Sequence, residues 1–277
     1  MTKDVPPILI VGGTGKTGRR VVERLNTRGM PVRIGSRSGI PPFDWLDEST
    51  WAPALAGVRA AYISYFPDIA IPGASKTVES FARCALAQGV RRLVLLSGRG
   101  EREAERTEEA LISTGADWTI LRCSWFAQNF SEGFLLDFVK AGLVQLPAGA
   151  VGEPFIDTDD IADAAVAALT EDGHVGELYE LTGPRLLTFA EATEEIAKAS
   201  GRPISYEQIS HQAFQDMLAA AQVPNDIVWL LNLLFTEVLD GRNESLTDGV
   251  GRALGRAPKD FTGYARETAA TGIWSVV

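Results

Sequence analysis

Ile8-Leu9-Ile10-Val11-Gly12-Gly13-Thr14-Gly15-Lys16-Thr17-Gly18 decides the fold of this chain. Four consecutive apolar residues run into a glycine-rich turn. From Thr17 to Arg28, Val21, Val22 and Leu25 then stand among Arg and Glu. That pattern is a buried strand, a turn and a helix with one buried face. Glycine meets three needs in such a turn. Gly12 and Gly13 reverse the chain tightly, Gly15 leaves the backbone bare where a pyrophosphate would approach, and Gly18 lets the helix lie against the strand. The helix N-terminus adds backbone amides and a partial positive charge, which suit an anion. Gly12, Gly13, Thr14, Gly15, Lys16, Thr17 and Gly18 are therefore the expected cradle of a dinucleotide. The other phosphate loop that ends in Gly-Lys-Thr needs a glycine at position 10, where Ile10 stands.

Beyond the loop, strand and helix patterns alternate. Pro31–Ser36, Ala60–Tyr65, Arg92–Ser97 and Trp118–Arg122 read as strands. Trp51–Leu55, Ser75–Gln88 (before Gly89) and Glu101–Thr114 (before Gly115) read as helices. Continuous apolar strands alternating with helices imply an α/β fold, a doubly wound parallel sheet covered on both faces. After Arg122 the alternation lapses. Phe155–Leu169 and Leu178–Leu181 read as one more helix and strand. Thr188–Ser200 is a helix opened by a capping box, Thr188 with Glu191, and the tail is mostly helical.

The second strand bears on which dinucleotide is held. An acid near its end would bind the ribose hydroxyls of NAD. Arg33-Ile34-Gly35-Ser36-Arg37 has none, and the next carboxylate is Asp44. Ser36 and Arg37 suit a 2′-phosphate instead, with Arg gripping it bidentately. The expectation is NADP(H) in preference to NAD(H), with NAD(H) as the other candidate; the plainer alternative makes Arg37 a solvated loop cation.

Composition narrows the partners. A net charge of −10 disfavours nucleic acid and an anionic membrane surface. The longest apolar stretch, Ile227–Phe235, is far shorter than the roughly 20 residues of a membrane span. Met1–Pro7 lacks a leader pattern, and the two cysteines, Cys84 and Cys123, form neither a disulfide framework nor a metal cage. No metal is expected, and the expected compartment is reducing cytoplasm.

Several segments together resemble the NmrA-like family of atypical short-chain dehydrogenases, which includes type-two quinone oxidoreductases and triphenylmethane-dye reductases. They are Gly12–Gly18, Arg37, Val94-Leu95-Leu96-Ser97-Gly98, Gly115–Arg122, Trp125-Phe126-Ala127-Gln128-Asn129-Phe130 and Asp157–Ala162. The run Ser97-Gly98-Arg99-Gly100 is also similar to actinobacterial reductases that tailor aromatic polyketides. The resemblance implies a Rossmann domain, 1–125 with 152–182, and a smaller, mostly helical substrate domain, 126–151 with 183–277, with the ligand in the cleft between them. It extends the cofactor track past Ser36 and Arg37 to Ser64, Tyr65 and Phe66, then Ser97, Gly98 and Cys123. It also implies a small aromatic substrate held by Trp125, Phe126, Asn129, Phe130 and Trp229.

One departure from the wider superfamily matters. Ser97 stands at a strand end as a catalytic serine would, but the helix after it carries neither Tyr nor Lys, although Glu108 matches a Glu common in the family. Reduction of a carbonyl through a tyrosine acid is therefore disfavoured. Hydride transfer to a quinone-like or polycyclic aromatic acceptor is less demanding, because the anion formed is a weak base. The alternative from another class is a non-catalytic NAD(P)-binding sensor that regulates a partner protein. Phe126, Phe130 and Phe134 also read as an ordinary apolar helix stripe, and Trp229 as packing. Asp157–Asp160 reads as a helix start, while His174 and His211 read as surface residues.

Overall fold

Apolar runs at the predicted strand positions form the centre of the computed structural model, which describes residues 5–275. Part of Met1–Pro7 thus falls outside the described residues. In chain order the elements are β1 (Ile8–Val11), α1 (Lys16–Thr27), β2 (Val32–Gly35), α2 (Trp51–Leu55), β3 (Ala60–Ile63), α3 (Ala74–Ala87), β4 (Arg92–Gly98), α4 (Arg102–Ser113) and β5 (Asp117–Cys123). There follow α5 (Asn129–Glu132), α6 (Leu135–Ala141), β6 (Leu143–Leu146), α7 (Thr158–Thr170), β7 (Glu177–Leu181), α8 (Phe189–Ser200) and β8 (Ser205–Gln208). The chain ends with α9 (His211–Ala220), α10 (Asn225–Leu233), α11 (Gly249–Leu254) and α12 (Phe261–Ala270). No helix among the described residues is long and apolar enough to cross a membrane.

Unit 1 comprises 1–123, 158–181 and 248–256. Its six strands pair in parallel in the order β2-β1-β3-β4-β5-β7. The order reverses between β1 and β3, the switch point where open α/β sheets bind ligands beyond the strands' carboxyl ends. Helices α1, α7 and α11 cover one face, and α2, α3 and α4 the other. On the latter face Leu9, Ile63, Leu93, Leu95 and Ile120 pack against Phe43, Trp45, Trp51 and Phe81. The rings of Phe43, Trp45 and Trp51 meet edge to face, a preferred arrangement of ring quadrupoles. On the α1 side, Arg20 and Arg24 pair with Asp159, and Arg24 also pairs with Asp163. The acidic start of α7 therefore serves helix packing as well as the helix dipole.

Unit 2 comprises 124–157, 182–247 and 257–277. Its core gathers Trp125, Phe130, Phe155, Phe189, Phe214, Phe235 and Phe261 around a short parallel pair, β6 with β8. The capping box of α8 forms as the sequence implies: Glu191 N–H donates to Thr188 Oγ1 at 3.1 Å, and Thr188 N–H to Glu191 Oε2 at 2.8 Å.

Three expectations are corrected. Residues 183–277 do not all lie in the second unit, because α11 returns to unit 1 and packs on β7 and α7. Phe126, Phe130 and Phe134 do not share one helix: Phe126 bridges to Ile156, and Gly133, in extended backbone, separates α5 from α6. His174 is buried rather than at the surface. Its Nδ1 lies 2.9 Å from the Tyr179 hydroxyl, and its carbonyl accepts Thr119 Oγ1–H at 2.7 Å.

Candidate functional site

At the switch point the glycine loop is built from backbone contacts. Gly12 has φ +72°, a left-handed conformation that favours glycine, and its amide reaches Gly35 of β2 at 3.1 Å. A Cβ on Gly12 would stand 3.2 Å from the Ser64 Cβ just beyond β3, so the loop and the β3 end are in close approach. Gly15 N–H donates to the Gly12 carbonyl at 2.8 Å and closes the turn. A Cβ on Gly18 would stand 2.7 Å from the Gly12 carbonyl carbon and closer still to its oxygen. Only glycine permits that approach of α1 to β1.

Gly15 differs from Gly18. A Cβ there would meet only the Gly12 oxygen, at 3.2 Å, with open space otherwise. Thr14 and Gly15 are exposed, Gly15 caps α1 with no side chain, and no acid stands in the first helical turn. First-turn amides have no carbonyl one turn back to bond, and no acidic side chain in the first turn of α1 opposes an anion. This cradle fits a pyrophosphate.

The neighbouring strand ends continue the track. Arg37 is exposed beyond β2, with no ion pair among the described residues. Ser36 is half-buried, its Oγ 3.4 Å from the Ser38 Oγ. Arg33 is committed elsewhere, donating to the carbonyls of Ala54 (2.8 Å) and Ala56 (2.7 Å). Beyond β3, Phe66 is 70% exposed, whereas Tyr65 packs against Trp45. Thr17 turns inward: its hydroxyl accepts the Tyr62 O–H at 2.9 Å, so only its backbone faces the loop.

Ser97 departs from the role suggested for it. It is buried, and its hydroxyl donates to Glu108 Oε1 at 2.5 Å. Strand alternation explains the direction. Ser97, Arg122 and Glu180 are cross-strand neighbours, and Ser97 and Arg122 both point towards α4. Arg122 donates to Glu108 through Nε (3.0 Å) and Nη2, and to Glu180 at 3.1 Å; Arg99 reaches Glu180 at 3.5 Å. The bidentate Glu108 contact is the main reason the Arg122 guanidinium holds its proton more tightly than usual. The Ser97 proton is thus engaged by a structural ion-pair network.

Gly98 and Cys123 face the other way, towards the α1 side. Burial pushes the Cys123 thiol well up, and Glu101 and Glu108 add to the shift. Two carboxyl groups lie at this rim that sequence reading passed over. Glu101 sits directly before α4, and a Cβ on Gly98 would overlap its carboxyl group. Its Oε2 is shut off from solvent and has no hydrogen-bond partner. Asp68, beyond β3, accepts the Ala70 amide at 2.8 Å. Burial raises both carboxyls, Glu101 far above its ordinary range. The signal available in the sequence was the Gly98-Arg99-Gly100-Glu101 turn, but Glu101 reads there as part of a charged helix.

In unit 2, Trp125 is buried, edge-on to Phe189 with ring centres 5.2 Å apart, and its amide donates to Glu153. Phe130 is fully buried among Phe155, Phe189 and Phe261, and its carbonyl takes the Trp274 indole N–H at 2.9 Å. Phe130 therefore packs the core and presents no face to a ligand. Phe126 and Asn129 are half-buried, and Trp229 is 42% exposed. Among the described residues no group of His, Cys, Asp and Glu is placed to hold a metal ion.

Residues 12–172 match the family described as NAD(P)H-binding. The prestalk A differentiation protein A of Dictyostelium discoideum is 30% identical, over 94% of this chain and 92% of its own length. The uncharacterized oxidoreductase YesF of Bacillus subtilis is 32% identical, over 97% of this chain and 98% of its own. The structure of an Escherichia coli NADPH-dependent quinone oxidoreductase, complexed with NADPH, shares the fold. Its TM-score is 0.79 at 22% identity, covering 94% of this chain and 99% of that one.

Proposed function

The chain belongs to the NAD(P)H-binding family of oxidoreductases, and on that premise we propose that it reduces quinone-like or polycyclic aromatic acceptors, using NADP(H) in preference to NAD(H). The acceptor class rests on one observation. The helix that would carry a tyrosine acid and its lysine, α4, contains neither, and the serine before it gives its proton to Glu108. Without that phenol and lysine to stabilise a localised alkoxide during hydride transfer, an acceptor whose reduced form is a delocalised anion has the lower barrier, whichever group protonates it afterwards. When bound, NADPH supplies the hydride. The E. coli fold neighbour's name carries the same acceptor class.

This chain's residues divide the remaining work. The Gly12–Gly18 cradle holds the pyrophosphate against the start of α1, and Ser36 with Arg37 takes the 2′-phosphate. The strand ends at Ser64–Phe66 and Gly98 line the track beyond. Phe126, Asn129 and Trp229, the solvent-reaching members of the expected set, contact the acceptor. Trp125 and Phe130 belong to the core of unit 2.

The test uses NADPH stereospecifically deuterated at the transferring position, with a panel of quinones and simple aliphatic ketones. Deuterium leaves the cofactor rapidly with quinones and slowly with ketones. Equal rates with both would overturn the acceptor class. Tight binding of NADPH with no turnover of any acceptor would show a binding protein instead.

A further inference from the structure

We propose that Glu101 is the proton donor to the reduced acceptor. The assignment rests on the reductase reading above. Three structural facts carry it. The carboxyl group of Glu101 lies against the Gly98 Cα, at the carboxyl end of β4 and on the same side as Cys123. That rim is where parallel α/β sheets present their ligands. Its Oε2 is a buried polar atom with no protein partner, and such atoms are rare enough in native structures to call for an explanation. Finally, among the described residues no arginine or lysine pairs with Glu101, whereas Glu108 and Glu180 are both paired with Arg122.

Every element packed around Glu101 pushes in one direction. Burial acts first, then the negative charges of Asp68 from the loop after β3 and Glu108 from α4. Cys123 from β5 is itself held as a neutral thiol by burial. Lys16 at the start of α1 acts on Asp68. Glu101 is therefore biased towards its protonated form, in a position to give that proton up. Acid catalysis is most effective when the acid's affinity for a proton lies near the working pH.

The step balances simply. Hydride brings one hydrogen and two electrons to the acceptor. The Glu101 O–H bond breaks, and its proton bonds to the acceptor atom that carries the new charge. The bonding pair stays on the Glu101 carboxylate, and solvent, which reaches part of this residue, reprotonates it between turnovers. An acceptor with two carbonyl oxygens then leaves as the neutral hydroquinone.

Glu101→Gln keeps the size and the hydrogen-bonding shape of the protonated acid but has no proton to give. With a naphthoquinone as acceptor, wild-type turnover should fall as pH rises through the Glu101 titration. In E101Q turnover at neutral pH should drop by about 10²-fold, and the alkaline limb should vanish. NADPH affinity should stay within about threefold, because the pyrophosphate grip lies elsewhere. E101D should recover part of the turnover and restore the limb. Calorimetry of NADPH binding in two buffers of different ionisation enthalpy gives a readout free of turnover. An incoming anion raises the Glu101 proton affinity further, so the wild type should take up protons on the alkaline side, and E101Q should not. Wild-type turnover and pH profile in a folded E101Q would overturn the proposal and leave the reductase reading intact. If E101Q fails to fold, absence of proton uptake by the wild type would overturn it. A wild type that turns over no acceptor would overturn the reductase reading, and this assignment with it.

Discussion

Gly15→Val separates folding from cofactor binding, and Gly18→Ala is its control. The Gly15 backbone is extended, with φ −82° and ψ −179°, a region that β-branched residues adopt without strain. Its new Cβ would meet one atom, the Gly12 carbonyl oxygen, at 3.2 Å, a tight contact relieved by a shift of a few tenths of an ångström. The fold should lose about 1 kcal/mol or less, mainly because Val caps a helix less well than Gly. That corresponds to a fall in Tm of about 2–4 °C. The side chain would instead fill the open space beside Gly15, the proposed pyrophosphate position. Forcing a branched side chain into occupied volume costs about 3 kcal/mol or more, at least a 100-fold loss of NADPH affinity. Gly18→Ala reverses the pattern. Its Cβ would fall inside contact distance of three backbone atoms of Gly12 and Gly13, none of which can rotate away. The cost is about 3 kcal/mol of stability, a fall in Tm of about 6–12 °C. Differential scanning calorimetry and NADPH titration on the same preparations decide the matter. Near wild-type NADPH affinity in a folded G15V protein would refute this placement of the pyrophosphate.

Other outcomes follow from single contacts. Arg37→Ala should weaken NADPH by about 10- to 100-fold and leave NADH nearly unchanged; equal losses in paired titrations would show that Arg37 does not touch the 2′-phosphate. Ser97→Ala should lower Tm while leaving turnover within a few-fold, since its hydroxyl serves Glu108; a large loss of turnover with Tm unchanged would restore a direct catalytic role. Asp260, paired with Arg185, has its carboxyl held down to about 2. A depressed carboxyl stabilises the fold above its ordinary titration and loses that contribution as pH falls through the depressed value. Both partners are more than a third exposed, so Asp260→Asn should cost only about 0.5–1 kcal/mol at neutral pH, and melting curves should show the gap closing as pH falls towards about 2.

The parallel sheet was legible because β1, β3, β4 and β5 are short, largely apolar runs closed by Gly, Ser or Cys, and α1, α3 and α4 each show an apolar stripe. The positions that escaped reading depend on contacts between distant residues. Phe43 and Trp45 lie in a stretch without periodicity, yet Trp45 packs on Trp51, Tyr65 and Phe81. The pairing of β6 with β8 joins segments some sixty residues apart, from Leu143↔Ser205 to Leu146↔Gln208, and Ser205–Gln208 is polar. The stripe of Phe126, Phe130 and Phe134 has the right spacing for one helix, but Gly133 breaks it. His174 looked solitary because its partners, Tyr179 and Thr119, have to be brought to it by the pairing of β5 with β7. At the candidate site the same distinction holds. The cradle is a contiguous motif, whereas the Asp68–Glu101 rim joins the end of β3 to the end of β4.

The acidic residues at this sheet edge show how partner, rather than residue type, sets the chemistry. Glu108 and Glu180 are joined through Arg122, with the Ser97 hydroxyl closing one end of the network. A carboxylate locked by a guanidinium is a fixed charge that orients its neighbours, and releasing it would leave a buried ion uncompensated, at a cost of about 3–5 kcal/mol. Such a group holds β4, β5 and β7 in register with α4; it is poorly suited to giving and taking a proton each cycle. Glu101 and Asp68 lack a guanidinium. Desolvation, together with the charges of Asp68 and Glu108, then favours the neutral form of Glu101. An electron-pair transfer at this rim leaves negative charge on the acceptor, and a neutral acid is the species that can discharge it. Moving the acid from the body of α4 to the residue before its first turn allows the network and the proton source to coexist on one strand end.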